Sequence, residues 1–109
     1  MTPRPCVAVL FGGRSSEHSI SLITALGVLR AAHESGRPVP SSLSVVGFDD
    51  SPESDSFWPP LTTVHQSFGD TGRRSVDILL RELESGERSG VTLTPTELVV
   101  RESTGPAPR

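Results

Sequence analysis

An α/β fold, built on a partly parallel sheet flanked by helices, is what this sequence predicts, and three observations carry the prediction. Two short Val-rich apolar runs, "CVAVLF" and "LSVVGF", have the continuous hydrophobicity of strands buried on both faces. Two longer segments, at residues 16–36 and 70–86, repeat apolar residues at helical spacing. Glycine, proline and small polar residues punctuate the elements, so the order reads strand, helix, strand, strand, helix, strand.

Residues 6–11, between Pro5 and Gly12, form the first strand. Ser15 or Ser16 then caps a helix, its hydroxyl accepting from a backbone N–H that has no partner within the helix. Leu22, Leu26 and Leu29, with Ile23 and Ala25 beside them, form the stripe this helix is expected to bury. Gly36 and then Pro38 end it, because glycine takes the left-handed cap conformation and proline cannot continue a helix. Residues 43–48 are the second buried strand, and "DDSPESDS" is a polar loop with a turn at Ser51-Pro52. Pro59-Pro60 holds the chain extended into "LTTVHQ", a third strand expected to be more exposed. Asp70 is placed as the cap of a second helix, with Val76, Leu79, Leu80 and Leu83 on one face and Asp77 one turn before Arg81. Gly86 or Gly90 stops that helix. "VTLTPTELVVRES" supplies one or two strands broken near Pro95, and residues 104–109 read as a frayed tail.

The 109 residues fit one domain, and with 34% apolar and 21% charged residues they read as globular and water-soluble. A net charge of −3 with arginines dispersed along the chain lacks the basic patch of a nucleic-acid surface. No apolar run approaches the ~20 residues of a membrane span, and residues 6–11 are too short for a secretory signal. The single Cys6 excludes an internal disulfide and fits a reducing compartment, so a cytoplasmic protein is expected. "FGGRSS" is neither G-x-x-x-x-G-K-[ST] nor G-x-G-x-x-G, so no nucleotide fingerprint is present. His65 has no Cys, second His or carboxylate at ligand spacing, which argues against a metal site. His18 and His33 read as surface residues. No cofactor is expected.

From about residue 25 to 103 the chain resembles the C-terminal part of the ligand-sensing domain of LacI/GalR-family regulators. The runs that carry this are "ALGVLRAAHESGRPVPSSLSVVGFDDSP", "PPLTTVHQSFGDTGRRSVDILLRELESGE" and "PTELVVREST". The resemblance implies one lobe of a periplasmic-binding-protein-like fold, in which two α/β lobes enclose an effector. In intact members a separate N-terminal headpiece binds operator DNA. Residues 6–24, "CVAVLFGGRSSEHSISLIT", are instead similar to the opening of D-alanine–D-alanine ligases. The chain therefore divides into a ligase-like strand-turn-helix at 1–32, with a crossover within 24–32, a sensor half-lobe at 33–103 and the tail at 104–109. It reads as chimeric or truncated.

Asp49 follows the strand "SVVGF", where parallel sheets gather ligand contacts, and an ionised carboxylate accepts two hydroxyl protons. The resemblance makes it the contact to a sugar hydroxyl; read from the residues alone, it starts a turn. Asp50 is assigned to capping the loop. By the same resemblance Gln66 reaches the ligand, its amide able to donate and accept, although a solvent-facing strand position fits it equally. Phe68 and Trp58 are candidates for the apolar wall of a sugar pocket. Phe57 and Trp58 fall in the loop that helps form the subunit contact of the resembled dimers, with core packing as the alternative. Glu17, in "SSEH", matches the ligases' anchor for the amino group of the first D-alanine, but also suits the first turn of any helix.

The function expected is an effector-binding module of a transcription regulator, with a sugar as the partner, a possible homodimer, no direct DNA contact by this chain and no membrane. No enzyme is expected. A ligase would need lysines for phosphates and carboxylates for magnesium, and this sequence has no lysine. A ligand-free dimerisation module, or a rearranged chain with no selected activity, are the remaining alternatives.

Overall fold

The computed structural model describes residues 7–9 and 16–107, with side chains from residue 23 onward. The glycine turn expected at Gly12-Gly13, Ser15, Cys6, and the side chains of Glu17, His18 and Leu22 therefore lie outside the described residues.

The expected order is the observed one. Strand β1 (Val7–Val9) leads to helix α1 (Ser16–Glu34), then β2 (Ser44–Phe48), β3 (Thr62–Gln66), helix α2 (Phe68–Ser85) and β4 (Thr96–Val99). A single turn of 3-10 helix at Ser54–Ser56 interrupts the polar loop after β2. The strands form one sheet in the order β1-β2-β3-β4. β1 and β2 run parallel with Val9 opposite Val46, and β2 and β3 run parallel with Phe48 opposite Val64. The chain divides into two compact units, residues 1–65 with 97–109, and residues 66–96.

In the first unit α1 makes the crossover between parallel β1 and β2, as a parallel pair requires. Its buried face differs from the expected leucine stripe. Ala25, Leu29 and Ala32 are buried, whereas Ile23 and Leu26 are 68% and 51% exposed. The buried positions follow each other at four and three residues, and alanine's short side chain lets a helix approach its sheet closely. Ala25 and Leu29 join Val45, Phe57 and Leu61 in the core, with Val28, Val39 and Leu43 packed against it. Each buried Val, Leu or Phe contributes about 1.5–3 kcal/mol of hydrophobic stabilisation. The helix ends as read: Gly36 has φ 67°, Gly36 N donates to His33 O at 3.1 Å, and Arg37 N donates to Ala32 O at 2.9 Å. Those paired bonds are the left-handed cap that satisfies the last carbonyls.

Strand β3 is not the exposed strand the sequence suggested. Its place inside the sheet buries Thr62 and Thr63, and their hydroxyls are satisfied. Thr62 Oγ1 pairs with Thr104 Oγ1 at 2.9 Å and accepts from Arg101 N at 2.9 Å; Thr63 Oγ1 accepts from Asp50 N at 3.1 Å. A buried threonine costs little once its hydroxyl has partners. The polar loop is likewise partly internal, with Ser51 and Ser54 buried and their hydroxyls 3.2 Å apart. Thr104 and Gly105, which open the expected tail, are hydrogen-bonded, Gly105 N donating to Ser44 Oγ at 3.2 Å.

In the second unit α2 is capped by Ser67, not Asp70: Ser67 Oγ accepts from Asp70 N at 3.3 Å. The serine stands one residue before the helix and reaches its third N–H, the usual N-cap geometry. Asp70 sits in the first turn beside Arg73 at 2.8 Å, and no Asp77–Arg81 ion pair forms among the described residues. Gly86 ends the helix at φ 72°, its N–H donating to Glu82 O.

Candidate functional site

The carboxyl end of β2 is shaped by its neighbours. Gly47 is buried, and a Cβ added there would stand 2.8 Å from Leu61 Cδ2, so a side chain at this position would force the buried Leu61 to shift. Beyond Phe48 the backbone turns through two consecutive left-handed residues, Asp49 at φ 81° and Asp50 at φ 49°. Aspartate tolerates this region better than most residues, yet two in succession need external support.

That support comes from Asp50. Its N–H donates to Thr63 Oγ1, and its Oδ2 is 3.0 Å from His65 Nδ1. Its Oδ1 lies 2.8 Å from Arg101 Nη2, a close ion pair rather than an aligned hydrogen bond. The Asp50 and Arg101 side chains are only 14% and 20% exposed, so the pair is shielded from solvent more than a surface bridge. Arg101 is itself held, Nη1 donating to Leu61 O at 2.8 Å and its backbone N to Thr62 Oγ1. Asp50 is therefore more than a loop cap, and His65 has a carboxylate partner that its sequence neighbourhood concealed. Among the described residues no cluster of three or more His, Cys, Asp and Glu is placed to hold a metal.

Asp49 sits half-buried at the carboxyl end of β2, next to this cluster. Since β1 and β2 are parallel, the carboxyl end of β1 lies at the same edge of the sheet as Asp49. Glu17 lies in the first turn of α1. Gln66 closes β3 and is half-buried, and Phe68, largely exposed, opens α2; both belong to the second unit.

The two aromatic candidates of the 57–58 loop part company. Phe57 is 7% exposed and lies in the core, which removes it from any surface contact. Trp58 is 88% exposed and lines an open cleft of about 510 Å³ with Leu26, Leu29 and Val39, together with Arg30, His33 and Arg37. Asp49 is not part of that lining. Arg30 is bridged to Glu34 at 2.8 Å on the exposed side of α1.

Sequence reading missed Arg101 and Thr63. Arg101 is 51 positions from Asp50, and no local spacing joins them; the only signal was their common place at strand ends.

Residues 21–104 match the family described as periplasmic binding protein-like domain. The lactose operon repressor of Escherichia coli (strain K12) is 45% identical over 80 residues, covering 73% of this chain and 22% of that protein. The solved lac repressor dimer bound to operator and the anti-inducer ONPF is 38% identical, with a TM-score of 0.72 over 93% of this chain and 32% of its own. A LacI family transcriptional regulator from Arthrobacter sp. FB24, solved in complex with lactose, is 30% identical with a TM-score of 0.69 over 94% and 37%. The chain spans 22% to 25% of the length of curated relatives it matches.

Proposed function

The chain belongs to the periplasmic binding protein-like domain family, in its LacI/GalR regulator branch, and from that premise we propose that it binds a small-molecule effector, a sugar, as part of a transcription regulator. The observation that carries this is Asp49, a half-buried carboxylate at the carboxyl end of a parallel strand, set beside a fixed ionic cluster. A carboxylate there accepts two sugar hydroxyls, each such charged hydrogen bond being worth about 1.5–3 kcal/mol. The relative solved in complex with lactose supports a sugar as the effector. The role is binding rather than catalysis, in the cytoplasm, and it needs no cofactor.

A second copy of the chain is the proposed occupant of the Trp58 cleft, so that Trp58 serves a dimer contact rather than a sugar wall. Its 88% exposure beside Leu26 supports this reading, since large aromatics concentrate where subunits meet. Residues 6–24 are proposed to be a ligase-like graft. The family match, which begins only at residue 21, supports it.

Titrating the 109-residue chain with lactose tests the effector reading. One wall of a cleft buries only part of a ligand, so a dissociation constant in the millimolar range is expected, lost in Asp49→Ala. Undiminished binding by Asp49→Ala would sink it.

A further inference from the structure

We propose that Arg101, acting through Asp50, is a positioning residue that holds Asp49 in its left-handed conformation for the effector. The proposal rests on the effector reading of Asp49.

Asp49 stands between two fixed points. On one side Phe48 is held in the sheet opposite Val64. On the other, Asp50 is tied through its backbone N–H to Thr63 and through its carboxylate to His65 and Arg101. These ties come from β3 and from the segment after β4, so no movement of a single element releases them. Arg101 cannot drift with Asp50, because its second guanidinium nitrogen is bound to Leu61 O and its own N–H to Thr62 Oγ1. With both flanking residues fixed, the range of conformations open to Asp49 is narrowed around the φ of 81° that the structure shows. A non-glycine residue persists in that region when its surroundings over-determine it, and such residues concentrate at ligand sites. A planar, permanently charged fork suits this task, since one face of the guanidinium engages the carboxylate while another nitrogen binds a carbonyl.

The Cα and Cβ chemical shifts of Asp49 report its backbone conformation without any ligand. In Arg101→Ala they should move from left-handed values toward extended ones while the Val45 and Leu29 methyl signals stay in place. Arg101→Lys, which keeps a cation near Oδ1, should restore them in part. If Arg101→Ala does not fold, Asp50→Asn removes the charge while keeping the shape and should move the Asp49 shifts in the same direction. Unmoved Asp49 shifts in either folded variant overturn the proposal. With lactose as probe, Arg101→Ala should bind about tenfold more weakly, the scale of one charged hydrogen bond. Adding Arg101→Ala to Asp49→Ala should cost nothing further; additive losses would overturn a role exerted through Asp49. Asp49 shifts that move in a parent chain that does not bind lactose would support the positioning and remove the effector reading instead.

Discussion

Ser103 is fully buried, and its hydroxyl works in both directions. Its Oγ donates to Val45 O at 2.6 Å and accepts from Thr62 N at 2.7 Å, while its carbonyl accepts from Val45 N. Replacing it with alanine strands a donor on β3 and an acceptor on β2 where water cannot reach. Ser103→Ala should therefore lose about 1–3 kcal/mol in urea unfolding, the cost of leaving buried partners unsatisfied. Gly47 makes the opposite demand. A methyl group there meets Leu61 Cδ2 at 2.8 Å, so Gly47→Ala should destabilise by about 1–3 kcal/mol through overpacking, read as a lower urea midpoint with an unchanged slope. At this scale the sequence was least legible. The Asp49 position followed from the end of an apolar run, but nothing around Ser103 or Arg101 marks them as hubs, because their partners lie 39 to 58 residues away.

Elements were easier to read, because their signals are local. The order of strands and helices, both glycine stops and the parallel pairing of β1 with β2 follow from apolar periodicity and punctuation. What local pattern did not supply was which strand lies inside the sheet, so Thr-rich β3 looked more exposed than it is. The start of α2 shows the same limit, since Ser67 and Asp70 both suit a cap and only the geometry separates them. The Asp70 carboxyl is held below the usual range, first by the Ser67 hydrogen bond and then by Arg73. A lowered folded pKa adds stability that is present above the ordinary carboxylate range and is lost as pH falls through the folded value. Ser67→Ala should raise the Asp70 titration midpoint measured by carboxyl NMR and cost about 0.5–2 kcal/mol of helix stability, seen as reduced helical circular dichroism.

For the molecule as a whole, the exposed apolar surface beside α1 is the feature that invites company. Trp58 and Leu26 line one cleft there, and the core residue Phe57 anchors the loop from beneath. Sedimentation over a range of concentrations should reveal self-association, weakened by about 2 kcal/mol or more in Trp58→Ala, as expected for a central aromatic. A chain that stays monomeric at high concentration would exclude that contact. The ties from residues 101–105 to β2 and β3 carry a different consequence, for synthesis. Glu102 N donates to Pro60 O, Ser103 bridges Val45 and Thr62, and Gly105 N reaches Ser44. A ribosome delivers those late residues after the strands they fasten, and contacts of such long sequence separation form slowly. Until they arrive, Val45 and Thr62 lack backbone partners that they have in the finished protein. The nascent chain thus carries an unfastened sheet until residues 101–105 emerge, and a stop codon before Ser103 would leave it so.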